Sequence, residues 1–258
     1  MTRLKCSHLD LSIAGIQVVA DFNLELSPGS FWGLLGSNGV GKTTLLKCLA
    51  GLLPPKGGQV LLESRAMDEL PRRVLARHVG MMQQHTAYVF DSSVLQIALT
   101  GRHPHLGYWQ RESPADIDKT QAALAAVGLG DFTQRSVTGL SGGEARRLAF
   151  AALLVQEPDI MLLDEPTNHL DLRHQVQIMG MIRDRTVGAA RTAIAALHDV
   201  NLAARYCSHV VMLFGQGQWC AGATGQMLSE SSLQRLYGCA VEKLDGTQGP
   251  RFYPLTRY

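Results

Sequence analysis

Three runs of consecutive apolar residues divide the second half of the chain: DIMLLDEP, TAIAALHD and HVVMLF. Each is short and bounded by turn or helix signals, which predicts buried parallel strands. FWGLLG, at 31–36, is an earlier run of the same kind. The N-terminal pattern differs. LDLSI and VADFNLEL alternate apolar and polar positions, as half-buried antiparallel strands do, and GGQVLL adds another strand. TTLLKCLAGL predicts a helix that stops at Gly51 before LLPPKGG. From about Asp91 to Gln156 the period becomes helical, in VLQIALTG, ADIDKTQAALAAVGL and GGEARRLAFAALLVQ, with GRHPHLGYW expected as a loop. RHQVQIMGMIRDR and VNLAARYC predict the helices between the later strands. The pattern therefore predicts a single α/β domain. Residues 1–90 and 157–240 form its mostly parallel core, with an antiparallel β subdomain at the N-terminal end. Residues 91–156 form an inserted helical subdomain, and 241–258 a C-terminal tail.

Composition narrows the class without changing this picture. The 258 residues are 46% hydrophobic and 18% charged, as a globular chain with a sizeable core requires. A net charge of +2 gives no case for nucleic acid as a partner. No stretch approaches the roughly 18 apolar residues of a membrane span, and Asp10 falls where a signal peptide would need apolar residues. Cys6, Cys48, Cys207, Cys220 and Cys239 are scattered, with no metal-site spacing, and read as reduced small hydrophobes of a cytosolic chain.

Candidate chemistry sits at the joints between elements. The strand at 31–36 runs into Gly36, Ser37, Asn38, Gly39, Val40, Gly41, Lys42, Thr43 and Thr44. Gly36-x-x-x-x-Gly41-Lys42-Thr43 is the P-loop pattern, so the fold class is an α/β P-loop NTPase core. Its glycines let several N–H groups converge on phosphate oxygens at a helix N-terminus. Lys42 is placed for the β- and γ-phosphates, and the Thr43 hydroxyl for Mg²⁺. Such a site also needs a metal anchor and a water activator. Asp164 and Glu165 end an apolar strand, where open α/β sheets bind their ligands. Asp164 is the expected Mg²⁺ anchor, and Glu165 the group that accepts a proton from the attacking water.

Leu140-Ser141-Gly142-Gly143-Glu144 opens a long helix about 100 residues later, with Ser141 as its expected N-cap. The order of P-loop, LSGGE, strand ending in DE and later histidine resembles the ATP-binding cassette family along nearly the whole chain. The resemblance implies ATP hydrolysis with Mg²⁺. It also implies a head-to-tail dimer in which Ser141, Gly142 and Gly143 reach the γ-phosphate bound by a second copy. Gln84 matches the glutamine that senses Mg²⁺ and the lytic water, Asp171 the aspartate at the subunit contact, and His198 the histidine at the γ-phosphate. Two positions depart from the family. Ile13 stands where an aromatic residue usually stacks on adenine. Ala145 follows LSGGE where a polar or basic residue is commoner, while Arg146 and Arg147 keep the segment basic.

LTGRHPHL and the segment from LHDVNLAARYC to QRLYG look like the importers of iron chelates, haem and cobalamin, and the LYGCAVEKLDGTQG tail leans toward cobalamin. That branch implies a peripheral subunit on the cytoplasmic face of the membrane. Its helical subdomain would grip a separate permease, and a periplasmic binding protein would act indirectly. The alternatives are a soluble ATPase of the same fold or an exporter subunit. The first usually carries two cassettes or a coiled-coil insertion, and the second is often fused to membrane spans. His103 and His105 lack further ligands for a metal.

Overall fold

The structure is a computed structural model that describes residues 4–84, 88, 90–247 and 249–255. It begins with β1 (Leu4–Ile13), β2 (Ile16–Leu26), β3 (Phe31–Gly36), α1 (Lys42–Leu49), β4 (Gly57–Leu62) and β5 (Arg65–Ala66). Next come α2 (Arg72–His78), β6 (Val79–Met82), α3 (Val94–Leu99), α4 (Pro114–Ala126) and α5 (Gly142–Gln156). They are followed by β7 (Ile160–Asp164), α6 (Leu172–Ala189), β8 (Thr192–Ala196), α7 (Val200–Tyr206), β9 (His209–Gly215) and β10 (Gln218–Ala223). Last are α8 (Thr224–Met227), α9 (Glu230–Tyr237), β11 (Val241–Gly246) and β12 (Gly249–Pro254).

The main sheet has the order β10-β9-β3-β8-β7-β6; its strands are parallel except β10, which pairs antiparallel with β9. Side chains alternate across it between two cores. In β7, Ile160 and Leu162 face one core while Met161 and Leu163 face the other. This is why these strands read as unbroken apolar runs: both faces are covered. The first core lies against the antiparallel sheet β2-β1-β4-β5 and α1. The second lies against α3 to α7 and the C-terminal elements. Trp219 of β10 ties the two sheets, packing edge-on to Phe22 at 4.7 Å and donating its Nε1–H to the Ala20 carbonyl at 2.9 Å.

Helix starts follow side-chain chemistry. Ser93, Ser113 and Ser141 each cap a helix and are answered by Gln96, Asp116 and Glu144, so α3, α4 and α5 all begin with a reciprocal capping box. The strand β6 and helix α2 are too short to announce themselves in the hydrophobic pattern. Three expectations change. Residues 101–105, expected as loop, wind together with Thr100 into a 3₁₀ turn after α3. The tail is a β11–β12 hairpin, anchored by Phe252 in the second core and by Asn201, which exchanges two hydrogen bonds with its backbone. Cys239 is exposed rather than a core filler, whereas Cys6, Cys48 and Cys207 are buried.

Candidate functional site

The parallel order puts the chemistry on one edge. The C-terminal ends of β3, β8, β7 and β6 lie side by side and lead, in turn, into the Gly36–Thr44 loop, His198, Asp164–Glu165 and Gln84. This is the edge where such sheets bind ligands. An open cavity of about 560 Å³ there is lined by Asn38, Gly39 and residues 41–44, and across from them by Gln84, Glu165, Asn168 and His198.

The loop is shaped by close contact as well as by conformation. Gly41, at φ 109°, is the N-cap of α1; a Cβ on it would lie 2.4 Å from a methyl of Val18 on β2. Only glycine satisfies both conditions. No side chain caps α1, so its first N–H groups remain available. Lys42 is 6% exposed, and its Nζ donates to the carbonyls of Gly36 at 2.7 Å and Ser37 at 3.0 Å. Burial lowers its pKa, while Glu165 and Asp164 act in the opposite direction. Val40 packs against the first core instead of lining the cavity.

The two carboxylates have opposite surroundings. Asp164 is 1% exposed, and among the described residues neither carboxylate oxygen has a hydrogen-bond partner. Burial raises its pKa; the adjacent Thr43 hydroxyl, Arg146 and Lys42 act against that rise, and Glu165 adds to it. Buried carboxylate oxygens with no hydrogen bond of ordinary geometry suit a cation. With the Thr43 hydroxyl beside them, Asp164 and Thr43 have the donor chemistry of a hard divalent site such as one for Mg²⁺, while Gln84 lines the neighbouring cavity. Glu165, at φ 53°, turns away from the strand into a nest of donors. It accepts from Gln84 Nε2 at 2.9 Å and from the Asn168 side-chain amide, and its Oε1 lies 2.5 Å from His198 Nε2.

A second cavity, of about 500 Å³, is lined by Ser141, Gly142, Gly143, Arg147, Asp171 and His174 among others, and by no residue of the Gly36–Thr44 loop. The Ser141 hydroxyl accepts the Glu144 N–H, leaving the N–H groups of the two glycines at the helix start. Asp171 caps α6 through the His174 N–H, which lowers its pKa, and meets the His174 ring at 2.8 Å. One chain thus gathers Gln84, Glu165 and His198 beside the loop, and Ser141, Gly142, Gly143 and Asp171 elsewhere.

Ile13 lies outside the first cavity, 49% exposed beside Ile16 at the β1–β2 turn. Arg146, one of the two arginines that keep the segment after LSGGE basic, is 5% exposed and hydrogen-bonded to backbone at the edge of the first cavity. Asn168 is a further residue whose place the motif pattern does not reveal; it reads as part of the segment leading to Asp171, yet its amide faces Glu165. His105 donates its Nε2–H to the Gln156 carbonyl at 2.8 Å.

The family model described as ABC transporter matches residues 19–168. The petrobactin import ATP-binding protein FpuD of Bacillus anthracis is 34% identical over 91% of this chain and 86% of its own length. The hemin import ATP-binding protein HmuV of Rhodopseudomonas palustris is 36% identical over 92% of this chain and 89% of its own. A solved ABC transporter assigned to the metal-chelate type, in an inward-facing conformation, superposes with a TM-score of 0.86 over 100% of this chain and 99% of the other. Its 24% identity speaks to the fold alone. Among the described residues no helix is long and apolar enough to cross a membrane. Because the family match takes in the loop, the LSGGE helix and the Asp164–Glu165 strand together, the chain belongs to the ABC transporter family as one of its ATP-binding subunits, which are ATPases coupled to transport.

Proposed function

We propose that this subunit hydrolyses ATP between two copies of itself, arranged head to tail on a separate membrane permease, to drive uptake of an iron chelate, haem or cobalamin. The carrying observation is the Glu165 carboxylate, held by Gln84, Asn168 and His198 at the wall of the phosphate-loop cavity. The N–H groups of the Gly36–Thr44 loop seat the phosphates, and Lys42 supplies the cation for the β- and γ-phosphates. Thr43, Gln84 and Asp164 would hold Mg²⁺, which when bound neutralises charge on the phosphate oxygens. Glu165 takes the proton of the attacking water, Gln84 and Asn168 fix the direction of its carboxylate, and His198 stands at the γ-phosphate. Ser141, Gly142, Gly143 and Asp171 serve the nucleotide of the second copy, because the cavity they line in their own chain contains no phosphate loop.

The chelate branch is supported by relatives named for petrobactin and hemin import. The permease would be gripped through the helical segment, at the cytoplasmic face of the membrane. The periplasmic binding protein acts only through that permease.

Glu165→Gln tests the chemistry. ATP binding should persist, hydrolysis should fall by about 10²–10⁴, the usual worth of a general base, and an ATP-bound dimer should accumulate in size-exclusion chromatography. Turnover near wild type in the purified variant would remove Glu165 as the base.

A further inference from the structure

Arg146 lies in the second turn of α5, five residues after the capping Ser141. Its guanidinium makes four bonds, all to main-chain carbonyls. Nη1 donates to Gln83 at 2.5 Å and Gln84 at 2.8 Å; Nη2 donates to Glu165 at 2.5 Å and to Asp164. Its Nε has no partner among the described residues. The four carbonyls belong to two adjacent strand ends, after β6 and at the end of β7, which pair in parallel as far as Met82 and Leu163. Beyond that point the ladder stops, and the guanidinium takes over as the link between the two segments.

Those segments carry the groups that must meet. The 2.9 Å bond from Gln84 Nε2 to Glu165 Oε2 depends on where both backbones stand, and Glu165 holds the left-handed conformation that few non-glycine residues adopt. Arg146 grips the carbonyl of that residue and of its partner at once. The same guanidinium is carried by the helix that starts at Ser141. A planar fork with donors on two nitrogens can span two chain segments; a lysine ammonium donates from one point.

We infer that Arg146 is a positioning residue: it sets the backbones that aim Gln84 and Glu165 at one another, so that hydrolysis follows the stance of the LSGGE helix. This rests on the proposed roles of Gln84 and Glu165.

The test uses the purified full-length chain with Arg146→Lys, which keeps the charge and loses the fork, and Arg146→Gln, which keeps a planar donor and loses the charge. ATP binding is titrated with and without Mg²⁺, turnover is resolved into kcat and KM, and each variant is melted. For Arg146→Lys, binding without Mg²⁺ and KM should stay within about threefold of wild type while kcat falls about 10- to 100-fold, as a misplacement near 1 Å produces. In a Glu165→Gln background the same change should lower turnover no further, because the two act as a unit. A lowered melting point with unchanged kcat would make Arg146 a structural staple and overturn the inference. Losses that multiply in the double variant would overturn it too, as would failure of both single variants to fold. Failure of the underlying functional reading has a different signature: a wild-type chain without Mg²⁺-dependent turnover, or a Glu165→Gln chain as active as wild type.

Discussion

Burial separates the three basic residues that lie closest to the phosphate motifs. Lys42 is buried at the floor of its loop, Arg146 is buried among carbonyls, and Arg147 reaches out to the Val127 and Gly128 carbonyls at the surface of the second cavity. The sequence distinguishes Lys42, because a lysine between glycines and hydroxyls at a strand–helix joint has one common use. It does not distinguish Arg146 from Arg147, since both follow a capped helix start in which every third or fourth position can face inward. Asp164 and Glu165 are legible for the reason Lys42 is: acidic residues ending a wholly apolar strand stand at the ligand edge. Ile13 is legible as a departure but not as a contact. Its exposure leaves room for a larger ring, so Ile13→Tyr is expected to leave the melting temperature unchanged. If the turn stands over the adenine, ATP binding should tighten by roughly 5- to 150-fold, from about 1–3 kcal/mol of base stacking, with saturated turnover unchanged. An isothermal titration showing unchanged affinity would remove Ile13 from the base site.

Helix starts make the elements testable by pH. Asp116 closes the capping box of α4 and pairs with the buried Arg102 at 2.8 Å. The Ser113 backbone N–H, then the Ser113 hydroxyl and Arg102, lower its pKa from 3.8 to about 2. A carboxylate whose folded pKa is depressed adds stability above its unfolded value and loses it as pH falls through the folded one. This contribution is therefore whole above about pH 4 and drains away toward about pH 2. Asp116→Asn should lower the melting point at pH 7 by about 2–4 °C, for a cap worth about 1 kcal/mol. The gap to wild type should close as the acid melts approach pH 2, and a gap independent of pH would contradict the assignment. The serines and acidic residues of these boxes are visible in the sequence. The 3₁₀ turn at Thr100–His105 is not, because Pro104 and the flanking glycines read as loop and the turn is settled by packing: Arg73 and Arg77 both donate to the Pro104 carbonyl. The hairpin at the end of the chain escapes notice because, of its described residues, only Phe252 and Val241 are buried.

At the scale of the molecule, the order of strands in the main sheet gathers one half of the proposed phosphate site, and α5 with the start of α6, which line the second cavity together, gathers the other. The motifs of both halves are legible in the sequence, but their separation into two cavities is visible only in the fold. Cargo leaves no mark on residues that never touch it, so the chelate branch rests on likeness alone. The arrangement makes a quantitative demand on a second copy. Lys42→Ala disables the loop of its own chain, and Ser141→Arg blocks the site that its chain completes for a partner; each alone should be inactive, and Ser141→Arg should still bind ATP as an isolated chain. Mixed in equal amounts, they should regain about a quarter of the wild-type rate, because half the dimers in a random mixture are mixed and each carries one intact site of two. Steady-state ATPase activity of that mixture is the most direct test of a composite site. Recovery near a quarter is the expected result. No recovery from two folded variants that form mixed dimers, or loss of ATP binding by isolated Ser141→Arg, would contradict it.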